Sequence, residues 1–152
     1  MAHGGAGLID QKLNPSKPIL GYSDTSTVKL DFDETIFKTV KYWAFRTMKW
    51  FRLRGFIILK SSKNHYHVVF DRSVTWERNM HIVAWVALES GNPKLQKYQL
   101  MQCIKESSTL RISPKKEKSS PRIVFRYGKK ALEVKNFSRY REMIRQCSRL
   151  KN

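Results

Sequence analysis

Acidic residues are scarce in this sequence. Of 152 residues, 12 are Asp or Glu against 30 Lys or Arg, a formal net charge of +18 at neutral pH. An excess of that size draws polyanions, nucleic acid first and acidic membrane second. Cysteine is nearly absent, with Cys103 and Cys147 alone. That excludes a disulfide scaffold or a Cys-rich zinc site, and reads as two ordinary thiols of a reducing cytoplasm. Long apolar runs are missing too. Phe56-Ile57-Ile58-Leu59 is ended by Lys60, whereas a membrane-crossing helix needs roughly 20 apolar residues. The opening segment (MAHGGAGLIDQKLNPSKP) has no basic start followed by an apolar stretch, unlike a signal peptide. The expectation is a cytoplasmic protein with no membrane partner. Internal repeats are lacking as well. What is present is 41% hydrophobic and 12% aromatic residues, enough to bury a core and to exclude a wholly disordered chain.

Residues 1–25 are rich in glycine and hold Pro15 and Pro18, and they read as a flexible arm. Residues 26–152 read as one domain, with a basic extension from about 114 onward. Thr27–Asp33 alternates, with Val28, Leu30 and Phe32 on one face and Lys29, Asp31 and Asp33 on the other, the mark of a half-buried strand. From Glu34 the period becomes helical through Ile36, Val40, Trp43, Ala44, Thr47 and Phe51, with Gly55 as the stop. Residues 56–61 and 66–70 read as a hairpin across the polar turn Ser61–His65. Ser73 is the expected N-cap of a helix that stops at Gly91, and Asn92-Pro93 opens another helix to about Lys105. Thr109–Ser113 reads as a fourth strand. Residues 122–126 and 131–134 read as a second hairpin, followed by a last helix capped by Ser138. The order strand, helix, strand, strand, helices, strand is the split β-α-β of the ferredoxin-like, or RRM-like, arrangement. The predicted fold is therefore α+β, with that core, an additional β-hairpin and a C-terminal helix.

In that topology the first and third strands are neighbours, so Asp31 and Asp33 lie beside residues 66–70. Carboxylates at i and i+2 on a strand share a face and can share divalent cations. Mg²⁺ in particular accepts one or two carboxylates plus phosphate oxygens. Alternation puts Tyr66 with Val68 and Phe70, and leaves His67 on the face of the aspartates. Hydroxyls, backbone amides, Lys63 and a histidine around the Ser61–His65 turn suit a triphosphate.

Leu30-Asp31-Phe32-Asp33 resembles the first motif of the archaeo-eukaryotic primase superfamily, the primase–polymerases, and above all its small members from archaeal plasmids and viruses. Ser61-Ser62-Lys63-Asn64-His65-Tyr66-His67-Val68 resembles the second motif, a Ser-led turn ending in a His-bearing strand. Thr109–Lys115 resembles the region of the third. The resemblance spans roughly residues 27–126. It implies metal binding (Mg²⁺ or Mn²⁺) by Asp31 and Asp33, and contact of His67 with the phosphates of a nucleoside triphosphate. Ser61, Ser62 and Lys63 would orient that group and Arg111 offset its charge. The third acid of the cluster falls on Glu106 by position, with Asp71 as the weaker choice. The implied activity is nucleotidyl transfer on a single-stranded DNA template, with a helicase or other replication protein as a partner and a mobile genetic element as a source.

Two other readings stay open. His65-Tyr66-His67 also spells the His-hydrophobic-His metal motif of Rep and relaxase nickases, whose tyrosine nucleophile would be Tyr98 or Tyr140. A catalytically inactive DNA-binding relative is the other, although Trp43, Trp50 and Trp76 fit helix packing better than base contacts. For DNA, residues 105–152 carry 15 Lys and Arg against 4 acids. Lys115, Lys116, Lys118, Arg122, Arg139, Arg141 and Arg145 are the expected phosphate contacts, weakened steeply by salt.

Overall fold

The computed structural model describes residues 19–115, 119–128 and 132–150. In chain order the elements are β1 (Gly21–Asp24), β2 (Thr27–Phe32), α1 (Phe37–Trp50), β3 (Gly55–Ser62), β4 (His65–Ser73), α2 (Trp76–Ser90), α3 (Pro93–Lys105), β5 (Ser108–Arg111), β6 (Arg122–Gly128) and α4 (Leu132–Leu150). Among the described residues no helix is long and apolar enough to cross a membrane.

The fold is α+β. Four strands form one antiparallel sheet in the order β2-β4-β3-β6. Strand β4 lies between β2 and β3 and runs antiparallel to both, so β2, α1 and β3 make the split β-α-β unit read from the element order. The fourth predicted strand departs from that expectation. It is β5, and it pairs with β1 in a separate two-stranded sheet, Tyr22 opposite Leu110. Residues 21–24 are thus a strand rather than part of an arm. The rest of the expected arm, residues 1–18, lies outside the described residues.

The remaining sheet edge, beside β3, is taken by β6. Its approach depends on Gly55 and Gly128, which face each other in register. A Cβ on Gly55 would meet the Tyr127 carbonyl at 2.5 Å, and Gly128 has φ +86°, a value that favours glycine. The expected hairpin partner at 131–134 is helical from Leu132 onward. Leu132, Glu133 and Lys135 are good helix formers, and buried Val134 and Phe137 with half-buried Ile144 fall on one helical stripe. Ser138 therefore sits inside α4 rather than capping it.

Caps differ in two other places. Thr75, not Ser73, caps α2, its hydroxyl accepting from the Arg78 amide at 3.2 Å. The left-handed residue after α1 is Arg52, φ 56°, while Gly55 opens β3. Gly91 ends α2, and Asn92 caps α3 by accepting from the Lys94 and Leu95 amides, as its sequence predicts.

Both faces of the sheet are covered. Leu30, Phe32, Phe56, Ile58, Val68 and Phe70 pack under α1 and α2 against Val40, Ala44, Val83 and Val86. Ile57, Leu59 and Val69 point the other way, onto Leu110, Ile112, Val134 and Phe137 from β5 and α4. Burying a side chain of this size contributes roughly 1.5–3 kcal/mol, so the second core anchors β5 and α4 firmly to the outer face.

Candidate functional site

The outer face of β2 carries Lys29, Asp31 and Asp33, and that of β4 carries His65, His67 and Val69. Asp31 lies opposite His67 in the register of the two strands. His67 Nε2 is 3.4 Å from Asp31 Oδ1, an electrostatic contact longer than a good hydrogen bond. One pair further along, His65 Nδ1 and Asp33 Oδ1 are hydrogen-bonded at 2.6 Å. The acidic pair and both imidazoles therefore meet on one patch, as the alternation of the two strands predicts. The Asp31 side chain is 30% exposed and that of Asp33 41%, while His67 is 7% exposed. Burial pushes His67 below the usual imidazole range, against the pull of the Asp31 charge. The same burial raises the Asp31 carboxyl, with His67 pulling it down and Asp33 adding to the rise.

Asp31 and Asp33, but neither His65 nor His67, line a cleft of about 500 Å³, within the usual range for small-ligand sites. Its walls are Leu20 and Gly21, Thr109 and Arg111 of β5, and one face of α3. That face presents Lys94, Lys97, Tyr98, Met101, Gln102 and Lys105, at helical i, i+3, i+4 spacing. Two hydrogen bonds clamp α3 to β5. Tyr98 Oη donates to the Thr109 carbonyl at 2.9 Å, and the Thr109 amide donates to Gln102 Oε1 at 2.8 Å. Arg111 is held by the Ser113 and Ser119 carbonyls. Burial lowers its pKa while the Asp31 charge raises it.

The other residues expected at the site fall in different places. Ser61 is buried, its hydroxyl donating to the His65 carbonyl at 3.3 Å, and Ser62 is half-buried with a buried hydroxyl that finds no partner. Lys63 is exposed on the turn. The Thr35 amide donates to the Asn64 carbonyl at 2.9 Å, which holds that turn near Asp33. None of Ser61, Ser62 and Lys63 lines the cleft. Glu106 is the exposed left-handed C-cap of α3 and is not among the lining residues either. Asp71 is buried four residues along β4 from His67, about 13 Å at strand rise. Among the described residues no three His, Cys, Asp or Glu side chains are grouped to hold a metal ion.

Of the basic residues expected to meet DNA, Lys115, Arg122 and Arg139 are exposed. Arg145 is half-buried beside Glu142. Arg141 is a correction, because it is 8% exposed and donates twice to the Pro121 carbonyl, fastening that residue to α4. Lys116 and Lys118 lie outside the described residues. Lys29 was expected on a solvated strand face, yet it is fully buried. The β1–β5 sheet covers it, and its Nζ donates to Asp24 Oδ1 at 2.8 Å and to the Ser108 carbonyl at 3.0 Å. Sequence reasoning missed Lys94, Lys97 and Lys105 as cleft residues. Their shared helical face was visible, but which side of the sheet α3 flanks was not.

Comparison of the chain with protein-family models, with curated proteins and with solved structures gave no match.

Proposed function

We propose that the cleft binds a nucleoside triphosphate and that the protein joins nucleotides to a DNA strand, as a small nucleotidyltransferase of the primase–polymerase kind. The observation that carries this reading is the convergence of Asp31, Asp33 and Arg111 on one cleft rimmed by Lys94, Lys97 and Lys105. Carboxylates within a ring of cations suit a polyphosphate that arrives with a divalent ion. A neutral metabolite would need neither, and a bare anion would be repelled by the aspartates.

The donor set fits Mg²⁺ or Mn²⁺. Two partly exposed carboxylates share a face, and such ions complete their shells from phosphate and water. Asp31 and Asp33 would hold the metal, which when bound offsets charge on the transferring phosphate. The chain's own residues do the rest. Lys94, Lys97 and Lys105 attract and align the phosphate tail, and Arg111 adds a fixed cation on the opposite wall. His67 does not line the cleft and would act through Asp31, whose carboxylate it faces at 3.4 Å. His65 holds Asp33 in place. Attack by a strand's 3′-hydroxyl then needs positioning and charge stabilisation rather than a covalent intermediate. Lys115, Arg122 and Arg139 would follow the template backbone, and a helicase would be a fitting partner.

Two observations favour other readings. Tyr98 lines the same cleft as His65's neighbour Asp33, which suits a nickase. Against that, its hydroxyl is bonded to the Thr109 carbonyl, and burial raises its pKa well above the usual phenol value, so it is poorly prepared as a nucleophile. Tyr140 is not a cleft residue and packs on Tyr22 instead. The second observation is that neither Glu106 nor Asp71 lines the cleft with the acidic pair, which favours a binding protein without catalysis.

One experiment separates the three. The protein is incubated with labelled primer–template DNA, Mn²⁺ and nucleotides, and the products are run on a denaturing gel. Extension that disappears in Asp31→Ala/Asp33→Ala, with DNA binding retained, supports nucleotidyl transfer. A covalent protein–DNA adduct lost in Tyr98→Phe supports nicking, and neither product leaves a binding module.

A further inference from the structure

The helix side of the molecule carries an exposed aromatic group at the end of α1. Trp50, the last residue of α1, is 68% exposed although its sequence position suggested a core role. The inward face of α1 is already filled by Val40, Ala44 and Met48. Instead, the Trp50 ring lies nearly parallel to Trp85 of α2, planes 9° apart and centroids 5.9 Å apart. The Arg46 guanidinium sits 5.5 Å from the Trp43 ring and 5.8 Å from the Trp85 ring, and donates to the Tyr42 hydroxyl at 2.7 Å. Tyr42, Arg46 and Trp50 are all exposed. None of these residues lines the cleft.

On the α1 side of this shelf the charge has one sign, whereas α2 carries Glu77 and Glu89. Residues 37–54 contain Lys38, Lys41, Arg46, Lys49, Arg52 and Arg54 and no acid. All but Lys41 are exposed. Aromatic rings beside a run of cations are what single-stranded nucleic acid requires, since bases stack on the rings while phosphates meet the charges. Arginine held against the rings adds to both.

We infer that the Trp50–Trp85–Arg46 shelf is a second contact surface for single-stranded DNA, on the side of the sheet opposite the cleft. It would hold a strand by stacking, without reading its sequence. The inference rests on the basic character of this surface and not on chemistry in the cleft.

The test is fluorescence anisotropy of the full-length protein with a labelled 20-nucleotide single strand, over a range of salt concentrations. Trp50→Ala should weaken binding about tenfold or more, and Trp50→Phe should keep most of it. Arg46→Ala should also weaken binding and lower the salt slope by about one. Trp50 is exposed, so an unchanged thermal midpoint should confirm that the variant folds. Wild-type affinity in both Trp50→Ala and Arg46→Ala overturns the inference. So does unchanged DNA binding accompanied by lost binding to vesicles of equal phosphatidylcholine and phosphatidylserine, or by a change from dimer to monomer in sedimentation. A protein that fails to extend primers but binds strands through Trp50 would refute the nucleotidyl-transfer reading and leave the shelf standing.

Discussion

On the helix side of β2 and β4, Leu30, Phe32, Tyr66, Val68 and Phe70 are closed off from water. One residue away along the same strands, Asp31 and Asp33 line a cleft and keep part of their contact with solvent, with His67 and His65 across from them. The inner face is held by apolar burial, which asks only for volume and shape. On the outer face Ile57, Leu59 and Val69 add a second apolar core, but beside the cleft matched partners take over, each acid leaning on the imidazole across from it. A one-residue slip of register would exchange the two sets, so the hydrophobic pattern that stabilises β2 also fixes where its carboxylates project. Stability and the candidate site are thus written into the same six residues, at alternate positions.

The sharpest way to break this contrast is to hollow out the inner face. Phe32→Ala should cost about 3–5 kcal/mol, the usual range for a buried phenylalanine. Asp33→Ala, its neighbour on the outer face, should cost well under 1 kcal/mol. Urea denaturation of both variants checks this. Equal losses would mean that the Asp33 position is core as well.

Lys29 tests a charged group on the closed part of the outer face. Its ammonium is buried with Asp24 and the Ser108 carbonyl as partners. Burial lowers its pKa against the raising effect of Asp24. Lys29→Ala should cost about 3 kcal/mol, the low end for a broken buried pair, because Asp24 keeps some access to water. It should also loosen β1 and β5 from the sheet, seen as faster amide exchange at Tyr22 and Leu110. Lys29→Met, which keeps the volume, should lose less than Lys29→Ala if packing counts for more than charge there.

The same contrast explains what could be read in advance. Alternation is local, so Val28-Lys29-Leu30-Asp31 and Tyr66-His67-Val68 declared their faces from sequence. The split β-α-β order then placed Asp31 beside His67. Pairings across long stretches of chain were not legible. Nothing in residues 21–24 announces Ser108–Arg111 as a partner, and without that pairing Lys29 looks solvated. Arg141 looked like one more surface cation because its acceptor, the Pro121 carbonyl, is a backbone group 20 residues away. Trp50 does pack on a helix, its ring stacked on Trp85 of α2, but α1 ends there and the ring stays 68% exposed.

The smallest effect expected is a gain. Burial raises the Asp31 carboxyl above its ordinary value of 3.8, while the His67 charge draws it down and Asp33 adds to the rise. The folded state therefore binds this proton more tightly than the unfolded chain. The resulting stabilisation is complete below about pH 3.8, and it is lost as pH rises through the folded value. At pH 7 the ionised carboxylate is then a net cost. Asp31→Asn should raise stability at pH 7 by roughly 0.5–1 kcal/mol, of the size seen when a functional group is traded for stability, and it should give no gain near pH 3.5. The measurement is urea denaturation in the presence of a chelator, so that no cation occupies the site. Phe32→Ala, by contrast, should show a loss that does not change with pH, since nothing on the inner face of β2 titrates. A loss of stability at pH 7 in Asp31→Asn would show that the carboxylate is held by contacts stronger than its burial. The outer face would then owe its stability to charge rather than tolerate charge for the sake of a site.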